Sequence, residues 1–150
     1  MTLVKKLNED LKAAMKGGLT KRVGVLRFVL AGVQNAEKEK FAKQPGVALT
    51  DDEAVAVLQK EAKRRKGAIE LFRQGKRDDL VKKEDAELAM IYEYIPKELT
   101  PTEIGAMVDE LKAKGFNDFN SLMRETMKLA KGRSDGKLVG DVIRKKLAQA

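Results

Sequence analysis

The sequence predicts an all-α protein, with four helices in its N-terminal part and three in its C-terminal part. Apolar residues recur at the three- and four-residue spacing of amphipathic helices along nearly the whole chain, and no convincing strand pattern interrupts them. Hydrophobic residues make up 43% of the 150 residues, which is enough for a packed core. Because Pro96 marks the clearest boundary, we expect one helical domain over residues 1–95 and a second over residues 96–150.

Helix stop and start signals separate the first four predicted helices. Gly17-Gly18 ends the first helix, and Thr20 is expected to cap the second. Gln44-Pro45-Gly46 predicts a loop, after which Thr50 and Glu53 have the spacing of a capping box. The apolar positions of these helices, in order, are Leu3, Leu7, Leu11 and Ala14; Leu26, Val29, Leu30 and Val33; Val55, Leu58, Ala62, Ile69 and Phe72; and Leu80, Leu88 and Ile91.

Charged residues interrupt the apolar sides of the third and fourth predicted helices. Gly75 ends the third helix, and Asp78 or Asp79 starts the fourth. Arg65 lies on the apolar side of the third helix, and Glu84 and Glu87 lie near that of the fourth. Because a buried charge is costly unless it is paired, we expect Arg65 to form a structural ion pair with Glu84 or Glu87. The alternative is a paired-carboxylate acid/base site, which the nearby arginine and the absence of histidine disfavour.

The last three helices begin with a second capping signal. Thr100 and Glu103 again have capping-box spacing, Pro101 fits the first helical position, and Leu99 and Ile104 can form a hydrophobic staple. The predicted apolar positions are Ile104, Met107, Val108 and Leu111, ending at Gly115; Phe119, Leu122, Met123, Met127 and Ala130; and Val139, Val142, Ile143 and Leu147.

The composition disfavours whole classes of function. The chain has no cysteine and no histidine, which removes thiolate chemistry, the commonest general base and the commonest metal ligand. We therefore expect neither an ordinary hydrolase nor a metalloenzyme, and no cofactor. Because no apolar run approaches the roughly 20 residues of a membrane span and the N-terminus has no signal-peptide block, we expect a cytoplasmic protein without membrane association.

Positive charge is concentrated at the two ends of the sequence, within a net charge of +8. Residues 1–49 hold 10 cations and 4 acids, and residues 122–150 hold 8 and 3, whereas residues 50–97 hold 11 of each and residues 98–121 hold 2 and 5. This distribution indicates an anionic macromolecular partner, with a solvated surface as the alternative. The basic run at residues 63–66 wraps around its helix and is interpreted as a solvated face.

Residues 131–137 combine three cations with two glycines between two predicted helices. Gly132 and Gly136 permit a tight turn, and Ser134 or Asp135 can cap the following helix, whose N-terminus would attract a phosphate. The alternative is a plain helix stop and start with the cations in solvent. The segment is not a nucleotide-binding P-loop, because only three residues separate its glycines where that loop requires four.

Several blocks, in this order and spacing, resemble the YqeY family, also called GatB/YqeY domain proteins. They lie at residues 22–35, 58–72, 77–80, 94–99 (YIPKEL) and 131–137 (KGRSDGK), with Glu84, Glu87 and Leu88 between the third and fourth. The resemblance covers essentially the full length. One departure is Lys76, where the Gly of a Gly-Arg-x-Asp-Leu turn would be expected; Gly75 lies one position earlier.

The resemblance implies a four-helix part followed by a three-helix part. It also implies similarity to the C-terminal tail of the B subunit of glutamine-dependent aspartyl/glutamyl-tRNA amidotransferase. In that enzyme the tail contacts the body of the tRNA, while the kinase and amide-transfer chemistry lies in other domains and subunits. The family label, carbon–nitrogen ligase activity with glutamine as amido donor, therefore belongs to the whole enzyme.

We accordingly expect a helical module that binds tRNA or another structured RNA through its C-terminal part and has no catalysis of its own. Arg22 and Arg27 form a second candidate patch. Because Phe116 and Phe119 are expected in the core, the sequence favours backbone recognition over base stacking. The predicted RNA-binding residues are Lys128, Lys131, Gly132, Arg133, Gly136, Lys137, Arg144 and Lys145, helped by Lys146.

Two other hypotheses remain open from the sequence. A protein-interaction subunit would dock on a tRNA-modifying enzyme, and exposure of Met107, Met123 and Met127 would favour it, although their helical spacing favours core packing. A stand-alone amidotransferase or glutaminase would need a Ser–Ser–Lys site, and the chain has only Ser121 and Ser134, outside any strand scaffold.

Overall fold

A computed structural model describes residues 1–149, and this range contains seven α-helices and no strand. The predicted all-α class and the order of four helices followed by three are thereby confirmed. The chain forms two compact units, Met1–Ile95 and Pro96–Ala150. The helices are α1 (Leu3–Lys16), α2 (Thr20–Lys43), α3 (Asp51–Gln74), α4 (Asp78–Ile91), α5 (Pro101–Ala113), α6 (Phe119–Ala130) and α7 (Gly136–Ala148).

The N-terminal unit buries the apolar sides of α1 to α4 in one core. Leu7, Val33 and Leu58 are fully buried there, so helices far apart in sequence share the same interior. Burial of such side chains is the main favourable term in folding. The core residues are Leu7, Ala14, Val25, Leu26, Val29, Leu30, Val33, Leu58, Ala62, Ile69, Leu88, Ile91 and Ile95.

Threonine residues cap the starts of α1, α3 and α5. The Thr50 hydroxyl and the Glu53 carboxylate form the complete capping box predicted for α3. At α5 the Thr100 hydroxyl accepts from the Glu103 N–H at 3.2 Å, whereas the Glu103 carboxylate accepts from the Thr100 hydroxyl. The second box is therefore only half formed, because the glutamate binds the side chain of its cap and not the backbone N–H.

The prediction that Thr20 caps α2 is wrong. Thr20 is the first residue of the helix, and Leu19 occupies the N-cap position without a side-chain cap. The physical reason lies in the preceding turn, where Gly18 has φ +68° and the Leu19 N–H donates to the Ala14 carbonyl at 3.0 Å. This turn leads the chain into α2 one residue before a threonine cap would.

The turn between α3 and α4 uses Lys76, and not Gly75, as its left-handed residue. Gly75 has φ −80°, whereas Lys76 has φ +57°. The Arg77 N–H then donates to the Phe72 carbonyl at 2.8 Å and closes the end of α3. A side chain therefore occupies the position that the sequence pattern reserves for glycine.

A polar cluster joins α1 and α2 to the segment that follows α4. The Tyr94 hydroxyl donates to Asp10 Oδ2 at 2.6 Å, and Arg22 forms an ion pair with Glu93 at 3.0 Å. Burial, followed by the hydrogen bond to Asp10, raises the pKa of Tyr94 to about 12. The Lys6 ammonium lies 5.6 Å from the centre of the Tyr94 ring.

The C-terminal unit packs α5, α6 and α7 around a second core. Met107, Met123 and Met127 are partly buried against this core, as are Phe116 and Phe119. The methionines thus contribute to packing, as their helical spacing predicts. None of the helices within residues 1–149 has the length and apolar character needed to span a bilayer. The core residues are Leu99, Ile104, Val108, Leu111, Leu122, Ala130, Val139 and Ile143.

Candidate nucleic-acid interface

Two consecutive left-handed residues form the turn that leads from α6 towards α7. α6 ends at Ala130, and Lys131 and Gly132 follow with φ +47° and φ +79°. Glycine adopts this conformation freely, whereas a lysine does so only at a cost. The two glycines of the loop predict a tight turn, but nothing in the sequence indicates that Lys131 shares the left-handed conformation.

Asp135 begins α7 as its N-cap. Its Oδ1 accepts the Leu138 N–H at 2.8 Å, while the Ser134 hydroxyl makes a long bond of 3.4 Å to the Asp135 carbonyl. Of the two predicted caps, Asp135 is therefore the one that acts. Because its carboxylate already lies at the positive end of the helix, any attraction for phosphate comes mainly from the cationic side chains nearby.

Arg133 binds the chain segment that precedes α5. Its Nε donates to the Lys97 carbonyl at 3.0 Å, and its own carbonyl accepts the Leu99 N–H at 2.8 Å. The side chain is correspondingly half-buried. Arg133 therefore holds residues 97–99 against the loop, a role that sequence spacing did not reveal.

Two of the predicted RNA-binding cations form an ion pair with an acidic residue on the same helix. Lys128 lies 3.5 Å from Glu125 Oε1, and the Arg144 Nη1 lies 3.2 Å from Asp141 Oδ1. Both cationic side chains are about two-thirds exposed. Ion pairs at such exposure are worth less than about 1 kcal/mol, so they hold these two cations only weakly.

Three predicted lysines are exposed: Lys131 in the loop between α6 and α7, and Lys137 and Lys145 on α7. Within residues 1–149, neither Lys137 nor Lys145 forms an ion pair. The structure thus places all the predicted cations on α6, α7 and the loop between them, with Gly132 exposed and Gly136 half-buried at the two ends of that loop.

A groove of about 900 Å³ lies between α5 and α7, and Lys146 is one of the residues that line it. Lys146 donates to Asp109 Oδ2 at 2.9 Å across the groove. Gly105 lies against this crossing: a Cβ at that position would lie 3.2 Å from Lys146 Cε, so the flexible lysine would have to shift by a few tenths of an ångström. Arg144 and Lys145 also line the groove.

Arg144 makes a contact that the sequence analysis missed. Its guanidinium carbon lies 5.1 Å from the centre of the Phe119 ring, within the range of a cation–π interaction. Phe119 was predicted to be a core residue, and its ring does pack against the core, but it is only partly buried. The two residues are 25 positions apart, and the sequence between them carries no periodic signal that would have predicted the pair.

In the second candidate patch, one of the two arginines is engaged in an ion pair within the N-terminal unit. Arg22 pairs with Glu93, and the hydrogen bond to that carboxylate raises the pKa of Arg22 above its ordinary value. Arg27 is exposed, and its Nη2 lies 4.0 Å from Met15 Sδ. Arg22 is therefore engaged in an ion pair within the N-terminal unit, whereas Arg27 remains at the surface.

Arg65 brings the two predicted carboxylates together in the N-terminal unit. It is buried, lies 3.1 Å from Glu84 Oε2 and also binds Glu87, and its Nε lies 2.9 Å from Glu61 Oε1. Glu61, one turn earlier on α3, was not predicted. The three carboxylates surround one cation, Arg65, which is the arrangement of a structural ion-pair network. The described part of the chain holds no group of three or more acidic side chains suited to a metal ion.

A family model matches nearly the whole chain, and relatives match large parts of it. The family model described as "Yqey-like protein" matches residues 4–147. A Pyrenophora tritici-repentis protein named "Altered inheritance of mitochondria protein 41, mitochondrial" is 31% identical over 136 residues, covering 86% of this chain and 71% of that protein. An uncharacterised Schizosaccharomyces pombe protein is 31% identical over 93 residues, covering 62% of this chain and 68% of its own length.

Proposed function

Because the chain belongs to the Yqey-like protein family, we propose that it is a helical module that binds tRNA or another structured RNA through its C-terminal unit. The observation that carries the proposal is the concentration of exposed cations on α6, α7 and the loop between them. The resemblance to the tail of the amidotransferase B subunit supports tRNA as the RNA. The contacting residues in this proposal are Lys128, Lys131, Lys137, Arg144 and Lys145.

The lysines among these residues would bind phosphates, and the rest of the unit would hold them in place. Phosphate contacts release counterions from the RNA and supply affinity without reading sequence. Arg133 fixes the loop by its bonds to Lys97 and Leu99, and Asp135 fixes the start of α7. In this proposal the protein recognises the shape and backbone of a folded RNA and performs no chemistry itself.

A binding titration with total tRNA at several salt concentrations tests the proposal. The site variant replaces Lys131, Lys137 and Lys145 with alanine, which removes three charges and leaves the structural bonds of Arg133 intact. We expect affinity for tRNA to fall at least tenfold. The slope of log K against the logarithm of the salt concentration should become shallower by about two to three, since each lost phosphate contact removes close to one from that slope.

A charge-matched control separates a site from a merely basic surface. Lys63→Ala, Lys82→Ala and Lys83→Ala together remove three exposed lysines from the N-terminal unit. The proposal requires this variant to bind tRNA nearly as the parent does, and requires the parent to resist duplex DNA as competitor. Equal losses in the two variants, or no tRNA binding at moderate salt, would overturn it.

A protein-interaction subunit is the second candidate, and one feature of the N-terminal unit favours it. Phe41 and Val47 are 62% and 50% exposed, and with Leu49 they line an apolar groove of about 660 Å³. Exposed apolar surface of this kind often marks a protein contact. Phe41→Ser tests it: loss of co-purification with a tRNA-modifying enzyme, with tRNA binding unchanged, would support docking through this groove.

A further inference from the structure

We propose that Arg144 and Phe119 form a stacking platform for one unpaired nucleobase of the bound RNA. This inference rests on the proposed function and extends it, because it names a chemical class of contact beyond phosphate recognition. It assigns Arg144 a role that depends on the plane of its guanidinium as well as on its charge.

The surroundings of Arg144 hold its guanidinium in a defined position. The Phe119 ring lies beneath it at 5.1 Å, and Asp141 Oδ1 binds Nη1 at 3.2 Å. Both groups also lie against Gly140, where a Cβ would be at ordinary contact distance, 3.5 Å from Nη1 and 3.8 Å from Phe119 Cζ. The guanidinium therefore lies close to the helix backbone and the ring at once. A pre-positioned group loses less entropy when a ligand binds.

The exposure of Arg144 shows that a ligand can reach it. The ring covers one side of the guanidinium and Asp141 binds an edge, yet 65% of the side chain remains accessible. Most of the Arg144 side chain is therefore open to a ligand. Guanidinium planes are weakly hydrated and stack on the faces of nucleobases, particularly those of unpaired nucleotides in RNA loops and bulges.

The neighbouring charge favours a base over a phosphate at this position. The carboxylate of Asp141 offsets the positive charge of Arg144 and would repel a phosphate approaching the same edge. Stacking on the open side meets no such repulsion. Lys145, which has no ion pair within the described residues, is the better phosphate ligand next to it. Base and backbone of one nucleotide would thus be recognised by neighbouring residues of α7.

Substitutions that keep charge but remove planarity test the platform. The RNA probes are a hairpin with an unpaired loop carrying 2-aminopurine and a blunt RNA duplex with the same number of phosphates. For Arg144→Lys we expect about tenfold weaker binding of the hairpin, loss of the 2-aminopurine quenching and duplex binding within twofold of the parent. Phe119→Leu should weaken hairpin binding in the same way.

The matched control is Arg124→Lys on α6. Arg124 is also exposed and lies 3.5 Å from a neighbouring carboxylate, that of Glu125, but no aromatic ring lies beneath it within residues 1–149. The proposal requires this variant to bind both RNAs as the parent does. The helical circular dichroism signal and the melting temperature of Arg124→Lys, Arg144→Lys and Phe119→Leu are measured to check that each variant is folded.

The outcomes separate this inference from the proposed function. If Arg144→Lys weakens hairpin and duplex equally, or weakens neither, the platform is overturned while the phosphate-binding site remains. A loss shared by Arg144→Lys and Arg124→Lys overturns it as well. If the parent protein binds neither RNA, the proposed function fails and the platform fails with it.

Discussion

Lys76 occupies a backbone conformation that costs a lysine free energy. Its φ of +57° lies in the left-handed region, where a Cβ crowds the following carbonyl at a cost of roughly 1 to 2 kcal/mol. Glycine avoids that cost but gains entropy in the unfolded chain. We therefore expect Lys76→Gly to raise the free energy of unfolding by about 1 kcal/mol, measured by urea denaturation.

The preceding glycine provides the control for this prediction. Gly75 has φ −80°, and a Cβ there would make only ordinary contacts, the nearest at 3.5 Å to the Leu71 carbonyl oxygen. Gly75→Ala should therefore be tolerated, whereas a glycine at the next position should stabilise. A destabilised Lys76→Gly would mean that the lysine side chain contributes more than its backbone conformation costs.

Because of Tyr94, we expect the free energy of unfolding to fall at alkaline pH. Its pKa is raised to about 12, mainly by burial and then by the bond to Asp10, from an ordinary value near 10. Because the unfolded chain releases this proton first, the contribution of Tyr94 is fully present below pH 10 and is lost as the pH rises towards 12. Relative to Tyr94→Phe, the parent should lose stability across that window. A phenolate absorbance titration with a midpoint near 10 for Tyr94 would contradict this.

At the scale of the helices, Arg65 joins α3 to α4. Its side chain is 8% exposed and pairs with Glu61 on its own helix and with Glu84 and Glu87 on the next. Arg65→Met would leave the partly buried carboxylates of Glu84 and Glu87 without this cation, whereas Glu61 would keep its ion pair with Arg64. We expect this to lower the free energy of unfolding by about 3 kcal/mol, measured by urea denaturation.

Two further variants distinguish the network from a simple loss of charge. Arg64→Met removes a neighbouring arginine that is 62% exposed, so we expect a loss below about 1 kcal/mol. Adding Glu84→Gln and Glu87→Gln to Arg65→Met should restore part of the lost stability, because the uncompensated charges are gone. An Arg65→Met protein as stable as the Arg64→Met protein would contradict the proposed importance of the network.

Local signals explain which parts of the helical fold the sequence predicts. Thr50 and Glu53 satisfy helix N–H groups within one turn, so their spacing alone predicts the start of α3. Thr20 has similar chemistry, but the preceding turn delivers Leu19 to the cap position instead. Arg65 is informative for another reason, since a charge within an apolar stripe requires a partner on the facing helix.

Contacts between distant segments explain what the sequence leaves undetermined at the candidate interface. The cations of residues 128–145 can be read directly as a basic run. The bond from Arg133 to the Lys97 carbonyl and the stacking of Arg144 over Phe119 depend on how α5, α6 and α7 pack. No periodicity encodes such pairs, so spacing alone assigns these arginines only to phosphate binding.

At the scale of the whole molecule, the chain contains two cores. Ile104, Val139 and Ile143 are fully buried within the C-terminal unit, as Leu7 and Leu58 are within the N-terminal unit. A fragment of residues 96–150 therefore retains a complete set of core partners for its three helices. Domains of about 55 residues can fold alone, although their stability is modest.

We expect this fragment to fold and to bind tRNA by itself. Circular dichroism should show a helical signal with a cooperative thermal transition, and tRNA affinity at a given salt concentration should be within about tenfold of that of the full chain, because the proposed contacts all lie in this unit. Ile104→Ala should abolish the transition, since a buried Ile→Ala change costs about 2 to 5 kcal/mol. Leu129→Ala, at a residue 48% exposed, should preserve it. A folded fragment without tRNA affinity would move the RNA contact to the basic residues 1–49, whereas an unfolded fragment would show that the second core needs the first.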